Sequence, residues 1–484
     1  MRKYIYQLII LGSVAAVSSC SKAKLEPVSS TQLPDVAAFA TLDRISNQVN
    51  AFYGALKAPN FYGERYLIYN DIRSGNFLNQ TGNGVTGVNI WNFTVTDADQ
   101  YVNNTWNAAY ACINQTNLFL DGMADAGGDK VAGDDLAKQY KAEAKFVRAL
   151  AFYSLLQLYA QPYTKDNGAS PGLPLRLKGI KSSGFNDFAR SSVADVYKQI
   201  LSDLNDAEAG LPADHGDPST NTTRAHVNTA IALKVRVYLA MADYDNVIAE
   251  ANKIVSASAP FHAATGVPFE LEADLKSVFT SYTTAESIFS MPFTGANEAP
   301  GGQSQLGSYY LPPSGLSSKG AGEYSLSATG VIADAGWKAT DVRREYIYTD
   351  ATTGKKWWTK FSSPSPYLDW APVIRYSDVL LSLAEAITRK SASVDARAVA
   401  LLDAVRHRSD PATTYTTGNF ATATALADAI VQERNIEFLG EGLRSPDMMR
   451  LQMTFPGVTV PIPPSNPAYI FPAPSGETQY NKLW

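Results

Sequence analysis

Val373-Ile-Arg-Tyr-Ser-Asp-Val-Leu-Leu-Ser-Leu-Ala-Glu-Ala386, with Leu401-Leu-Asp-Ala-Val-Arg-His-Arg408 shortly after it, is the stretch on which the reading of the fold turns. Val379, Leu380, Leu383, Ala384 and Ala386 recur at the spacing of one helical face, and Ala398, Leu401, Leu402 and Val405 do so on a second helix. Two amphipathic helices this close in sequence pack antiparallel, as in a degenerate tetratricopeptide unit. An earlier pair repeats the arrangement: one helix from Val227 to Met241 and one from Asp243 to Val255, with Asp243 placed to cap the second. Leu233, Val237 and Tyr238 face Tyr244, Val247, Ile248 and Ala251 across that junction.

Working outward, helical periodicity appears in Ile45, Val49, Phe52, Tyr53 and Leu56, in Trp106, Tyr110, Ile113, Asn117 and Leu120, and in Phe146, Ala149, Tyr153 and Leu156. A further helix runs from Val193 to Ala209 and stops at Leu211-Pro212. Between these segments the pattern lapses. Pro59 to Val102 and Pro260 to about Pro372 are rich in Gly, Pro, Ser and aromatics, with strand-like runs such as Ser287-Ile-Phe-Ser-Met-Pro-Phe293 and Glu345-Tyr-Ile-Tyr348. The predicted fold is therefore mainly α: a tetratricopeptide-like helical-repeat scaffold with long irregular loop excursions and a few short strands. The scaffold occupies about 38–58, 103–258 and 373–452, and the excursions occupy about 59–102 and 260–372, within one domain over 38–484. Long excursions with this aromatic content point to a functional role.

The N-terminus sets the compartment. Arg2 and Lys3 precede an apolar stretch from Leu8 to Val17, and Val17-Ser-Ser-Cys20 closes it with small residues before a cysteine. The stretch is shorter than the ~20 apolar residues a spanning helix needs, and it reads as a lipoprotein signal over 1–19. Cys20 would then carry the lipid and residues 20–37 would form a polar, proline-containing tether, so acyl chains anchor the protein to a membrane. Cys112, the other cysteine, lies in a helical pattern beside Ile113 and reads as a buried thiol with no disulfide partner. The chain is mildly acidic, with 41 Lys and Arg against 46 Asp and Glu, and loses two more positive charges with the signal. It has no basic cluster to meet phosphates, which excludes nucleic acid as a partner.

Catalytic patterns are missing from the sequence. The histidines His215, His226, His262 and His407 are scattered, with no zinc-binding spacing, and there is neither a nucleophile elbow nor a phosphate-cradling glycine loop. Thr96-Asp97-Ala98-Asp99 begins like a calcium loop but lacks its glycine and distal glutamate. No catalytic residue, metal or cofactor is expected beyond the lipid on Cys20. The aromatics carry more information, because a flat ring can stack on the apolar face of a sugar while nearby polar groups bond the hydroxyls. Trp337, Trp358 and Tyr309 are the stacking candidates, being large rings in loops with few apolar sequence neighbours, and Trp91 is a further one. Asn92, Asp71 and Arg73 are the candidate polar contacts. Trp357 and Trp358, adjacent on a strand, must face opposite ways. Trp106, at helical spacing, belongs to the core.

Several of these segments also resemble a known family. Val373–Ala386, Leu401–Arg408 and Val431-Gln-Glu-Arg-Asn-Ile-Glu-Phe-Leu-Gly-Glu-Gly-Leu-Arg444, continued by Asp447 and Arg450, are similar in order to motifs of the SusD/RagB outer-membrane lipoproteins. Glu143–Tyr153 and Ala285–Ser290 resemble upstream motifs of the same family, while Leu443–Pro446 and the proline-rich tail after Met453 depart from its pattern. The resemblance implies a non-catalytic glycan-binding lipoprotein at the cell surface, seated on a TonB-dependent outer-membrane transporter. A peptide-capturing lid of the RagB type is the alternative within the family, and a helical-repeat adaptor without a small ligand is the alternative outside it. The resemblance assigns no binding residue. Arg434 with Glu437, and Glu441 with Arg444, fall at i, i+3 and are expected to form structural ion pairs, with Arg375 and Arg406 of the same kind.

Overall fold

The computed structural model describes residues 35–184, 186–301 and 303–484; the expected signal, Cys20 and most of the tether lie outside them. Helices stand where periodicity places them at α1 (Leu42–Leu56), α3 (Gln100–Asp125), α4 (Asp134–Tyr159), α5 (Val193–Gly210), α6 (Val227–Ala240), α7 (Tyr244–Ala251), α8 (Tyr376–Ser391) and α9 (Ala396–Ser409), and the structure adds α2 (Arg65–Ile72), α10 (Ala423–Glu437) and α11 (Arg444–Arg450). Side-chain caps start many of them: Thr41, Ser192, Asp243, Asp395 and Thr422 each accept a backbone N–H from the following turn. Among the described residues no helix is long and apolar enough to cross a membrane.

From α3 to α9 each scaffold helix packs on its predecessor, α1 packs on α3, and α10 packs on α8. Both excursions are insertions into this stack. The first leaves at the end of α1 and returns at α3, and those two helices touch; the second leaves after α7 and returns at α8, which also touch. The stack is thus continuous while the inserted chain gathers beside it. Among the described residues there are four two-stranded antiparallel sheets, three of them in the insertions or at their roots. β1 (Phe77–Asn79) pairs with β5 (Tyr324–Leu326) and joins the two excursions. β2 (Pro171–Pro174) pairs with β3 (Arg190–Ser192), β4 (Ser287–Met291) with β8 (Ala371–Arg375), and β6 (Ile347–Thr349) with β7 (Lys356–Trp358).

One correction concerns the first excursion, which is not all loop. It contains α2, whose residues are all buried and therefore show no apolar stripe. A second correction concerns the ion pairs, which are structural but long-range. Arg434 binds Asp378 at 2.7 Å and Asp447 at 2.8 Å, and Glu437 is taken by Arg375, Arg343 and Arg408. Glu441 meets Arg375 and Lys360, while Arg406 meets Glu433 at 2.5 Å. These groups are buried, and they tie Glu286, Asp341, Arg343 and Lys360 of the second excursion to the start of α8 and the end of α10. Gly440 and Gly442, both at positive φ, make the turn that aims Glu441 inward, and a Cβ on Gly442 would lie 2.6 Å from Leu67 Cα.

Candidate functional site

The expected stacking rings are core residues. Trp337 is 2% exposed, under the Arg344 guanidinium at 4.6 Å and edge-on to Trp358. Trp358 is 1% exposed and donates Nε1–H to the Leu439 carbonyl at 3.0 Å, while its neighbour Trp357 is buried too, so β7 is enclosed on both faces. Tyr309 is fully buried, stacked on Tyr324 with its hydroxyl donating to the Gln303 carbonyl. None of the three offers a ring face to a ligand. Their apolar neighbours come from distant segments, which is why the rings looked unsupported in sequence. Asp71 is likewise buried; it accepts from Tyr310 Oη at 3.2 Å and Gly442 N at 3.1 Å, and burial holds its carboxyl well above the usual range. Trp91 and Asn92 are half-buried: Trp91 donates Nε1–H to the Phe77 carbonyl, and the Asn92 side chain accepts from Thr94 in a local turn. Trp106 and Cys112 are core, as expected.

Arg73 stands apart from these. It caps the C-terminal end of α2, where a cation is favoured, and its guanidinium centre lies 5.3, 4.8 and 5.2 Å from the ring centroids of Phe93, Phe455 and Phe471. Nη2 donates to the Tyr469 carbonyl at 2.5 Å, but Nη1 is buried without a hydrogen-bond partner and no carboxylate pairs with the group among the described residues. Burial lowers its pKa to about 10.

This guanidinium is in the wall of a cavity of about 310 Å³. Ile90, Phe93 and Val95 of the first excursion form one side, and the tail segment Asn466-Pro-Ala-Tyr-Ile-Phe-Pro472 forms the other, through every residue but Tyr469. Beneath it Met448, Met449, Phe455, Ile462 and Tyr469 make a small separate core. The tail is pinned on both sides of the cavity: Tyr469 Oη donates to the Met453 carbonyl, Phe471 N to the Leu158 carbonyl of α4, and Ser475 N to Asp97 O. The site is thus apolar, preformed and lined by one charged group, at the lower end of the ~300–1,000 Å³ usual for small-ligand pockets. Of the residues foreseen, only Arg73 lines it, with Trp91 and Asn92 beside its wall in sequence. The tail was missed as its wall; its signal was its proline-rich departure from the surrounding pattern.

Two other cavities are less suited. One of about 320 Å³ includes Asp214, Asp217, Phe269 and Thr284, but both carboxylates are occupied in local turns. One of about 220 Å³ includes Trp106, Tyr110 and several asparagines, with Asn114, Asn117 and Arg176 already bonded within the protein. No group of three or more His, Cys, Asp or Glu side chains suited to a metal ion occurs among the described residues.

A family model described as "Starch-binding associating with outer membrane" matches residues 26–239, and a second, "SusD family", matches 336–481, so each wall of the 310 Å³ cavity falls in one matched segment. A SusD superfamily protein from Bacteroides fragilis is 32% identical, with a TM-score of 0.81 and coverage of 92% of this chain and 99% of its own. One from Bacteroides thetaiotaomicron is 24% identical, with a TM-score of 0.79 and coverage of 92% and 98%. A protein described as a laminarin-binding SusD-like protein is 20% identical, with a TM-score of 0.71 and coverage of 91% and 97%. Among curated protein sequences there is no match.

Proposed function

The chain belongs to the SusD/RagB family, and from that premise we propose that it captures oligosaccharide at the outer membrane and passes it, unmodified, to a TonB-dependent transporter. The observation that carries the binding reading is the preformed cavity between the first excursion and the C-terminal tail, with Phe93 and the prolines offering flat apolar surface and Arg73 a hydrogen-bond donor. Family members are binding proteins, and a protein of the same fold is described as laminarin-binding. Lipid on Cys20 would supply the anchor; in fractionated cells that lack the transporter, a Cys20→Ala protein whose signal has been processed is expected to leave the membrane fraction.

The direct experiment is calorimetric titration of the purified protein against a panel of oligosaccharides, with product analysis of each mixture. Binding without cleavage is the expected result. Hydrolysis, or no binding to any glycan, would overturn the proposal.

A further inference from the structure

Arg73 is the charged residue lining the cavity, and what surrounds it is incomplete in a specific way. A guanidinium has five N–H donors in a planar fork, and this one spends its Nη2 on a backbone carbonyl while Nη1 is buried and unbonded. The nearby Asp71 does not serve it, since that carboxylate bonds Tyr310 and Gly442. Buried guanidiniums elsewhere in the fold are satisfied: Arg375, Arg434 and Arg450 each hold two or more carboxylate contacts, and Arg65, on the same helix as Arg73, spends Nε and Nη2 on the Gln303 carbonyl and Nη1 on Asn60 Oδ1. Arg73 is left with three phenyl rings, whose attraction for a cation is weaker than a paired carboxylate in a dry site. A buried cation without a counter-charge is costly to a fold, so its retention at a cavity wall calls for a partner that comes from outside.

We propose that the cavity takes the carboxylate of an acidic sugar unit, a uronic acid, which pairs with Arg73 while the pyranose ring lies against Phe93 and the proline-rich tail. The inference rests on the glycan-capture reading above and narrows its ligand class. A carboxylate suits the site better than a neutral hydroxyl because its two oxygens match the parallel N–H groups of the fork and neutralise the charge. The access route is Phe93. Its ring is the half-exposed one of the three, whereas Phe455 and Phe471 are buried, so Phe93, which packs on Phe455 at the edge of the small core, is the ring that can shift to open the guanidinium to a ligand. The five apolar or proline side chains opposite supply no competing anion, and Asn466 is capped onto Ala468 N.

The test is titration of the mature protein with an oligogalacturonide, a neutral gluco-oligosaccharide and a sulfated oligosaccharide of equal length. The uronate is expected to bind about 10- to 100-fold more tightly than the neutral chain, the range of a charge-assisted hydrogen bond expressed as affinity. Arg73→Gln should abolish the ratio between uronate and neutral affinity, whatever it removes from both in common, and Arg73→Lys, which keeps the charge but loses the fork, should reduce that ratio in part. Added salt should narrow the margin in the parent protein, a readout that needs no variant to fold. Equal affinity for uronate and neutral chains, or a margin that survives Arg73→Gln, would overturn the acidic-sugar assignment and leave glycan capture standing. A tighter sulfated ligand would overturn the choice of carboxylate, and failure of every glycan to bind would overturn both readings.

Discussion

Arg73 and Arg375 are both buried guanidiniums, and the protein treats them in opposite ways. Arg375 sits among Glu286, Glu437 and Glu441, and although burial disfavours its charge, those carboxylates outweigh it and raise its pKa well above the usual value. Arg73 has no carboxylate, and burial prevails. The two should respond differently to the same substitution. Arg375→Met removes one cation shared by three buried carboxylates, leaving Glu286 to Arg408, Glu437 to Arg343 and Arg408, and Glu441 to Lys360, and is expected to cost about 3–5 kcal/mol in denaturant unfolding. Arg73→Met removes an uncompensated charge and orphans one carbonyl, so its stability should lie within about 1 kcal/mol of the parent. A large loss at Arg73 would mean that the phenyl cluster depends on the cation, and that the residue is structural.

At the scale of elements, α1, α5 and α7 were legible because one face of each is buried, and the strands β4 and β6 as short runs rich in apolar and aromatic residues. α2 was not legible, since a helix buried all round carries no period. The excursions were visible as loops, but nothing local says that Trp358 will reach Leu439 or that Tyr309 will stack on Tyr324; those contacts exist only once the stack brings distant segments together. The ion pairs failed in the same way: spacing along one helix suggested partners, and burial against other elements chose different ones. His226, which precedes α6, gives the elements a pH signature. Burial, on a ring stacked against Phe269, lowers its pKa to about 3. The unfolded chain takes up that proton near pH 6.5, so the contribution is present above about 6.5 and lost as pH falls toward about 3, at up to ~1.4 kcal/mol per unit. Glu385, where Arg450 and Arg389 outweigh burial and lower the carboxyl to about 2, acts only below about pH 4.3. Glu64 and Asp71, raised by burial, act with the opposite sign, so the difference between variants is the informative quantity. His226→Phe should flatten unfolding stability between pH 6.5 and 5 relative to the parent, by about 2 kcal/mol over that span. An unchanged slope would place the acid sensitivity elsewhere.

The whole molecule separates two tasks. A continuous helical stack supplies rigidity, and chain inserted between touching helices supplies surface that can vary without disturbing the stack. The proposed site takes one wall from the first insertion and the other from the C-terminal tail, which hydrogen bonds to α4 and the start of α3 hold in place. Such a site depends on the entire fold while touching little of it, so it can be blocked without unfolding the protein. Ala468, half-buried in the tail wall, is the position for this. The decisive measurement is calorimetric titration of the parent and Ala468→Trp proteins with whichever oligosaccharide binds best, alongside thermal melts. The account predicts at least a tenfold loss of affinity, since the indole occupies the space of a sugar ring, with the melting temperature unchanged within a few degrees. Undiminished binding in a folded Ala468→Trp protein would contradict the assignment of the site.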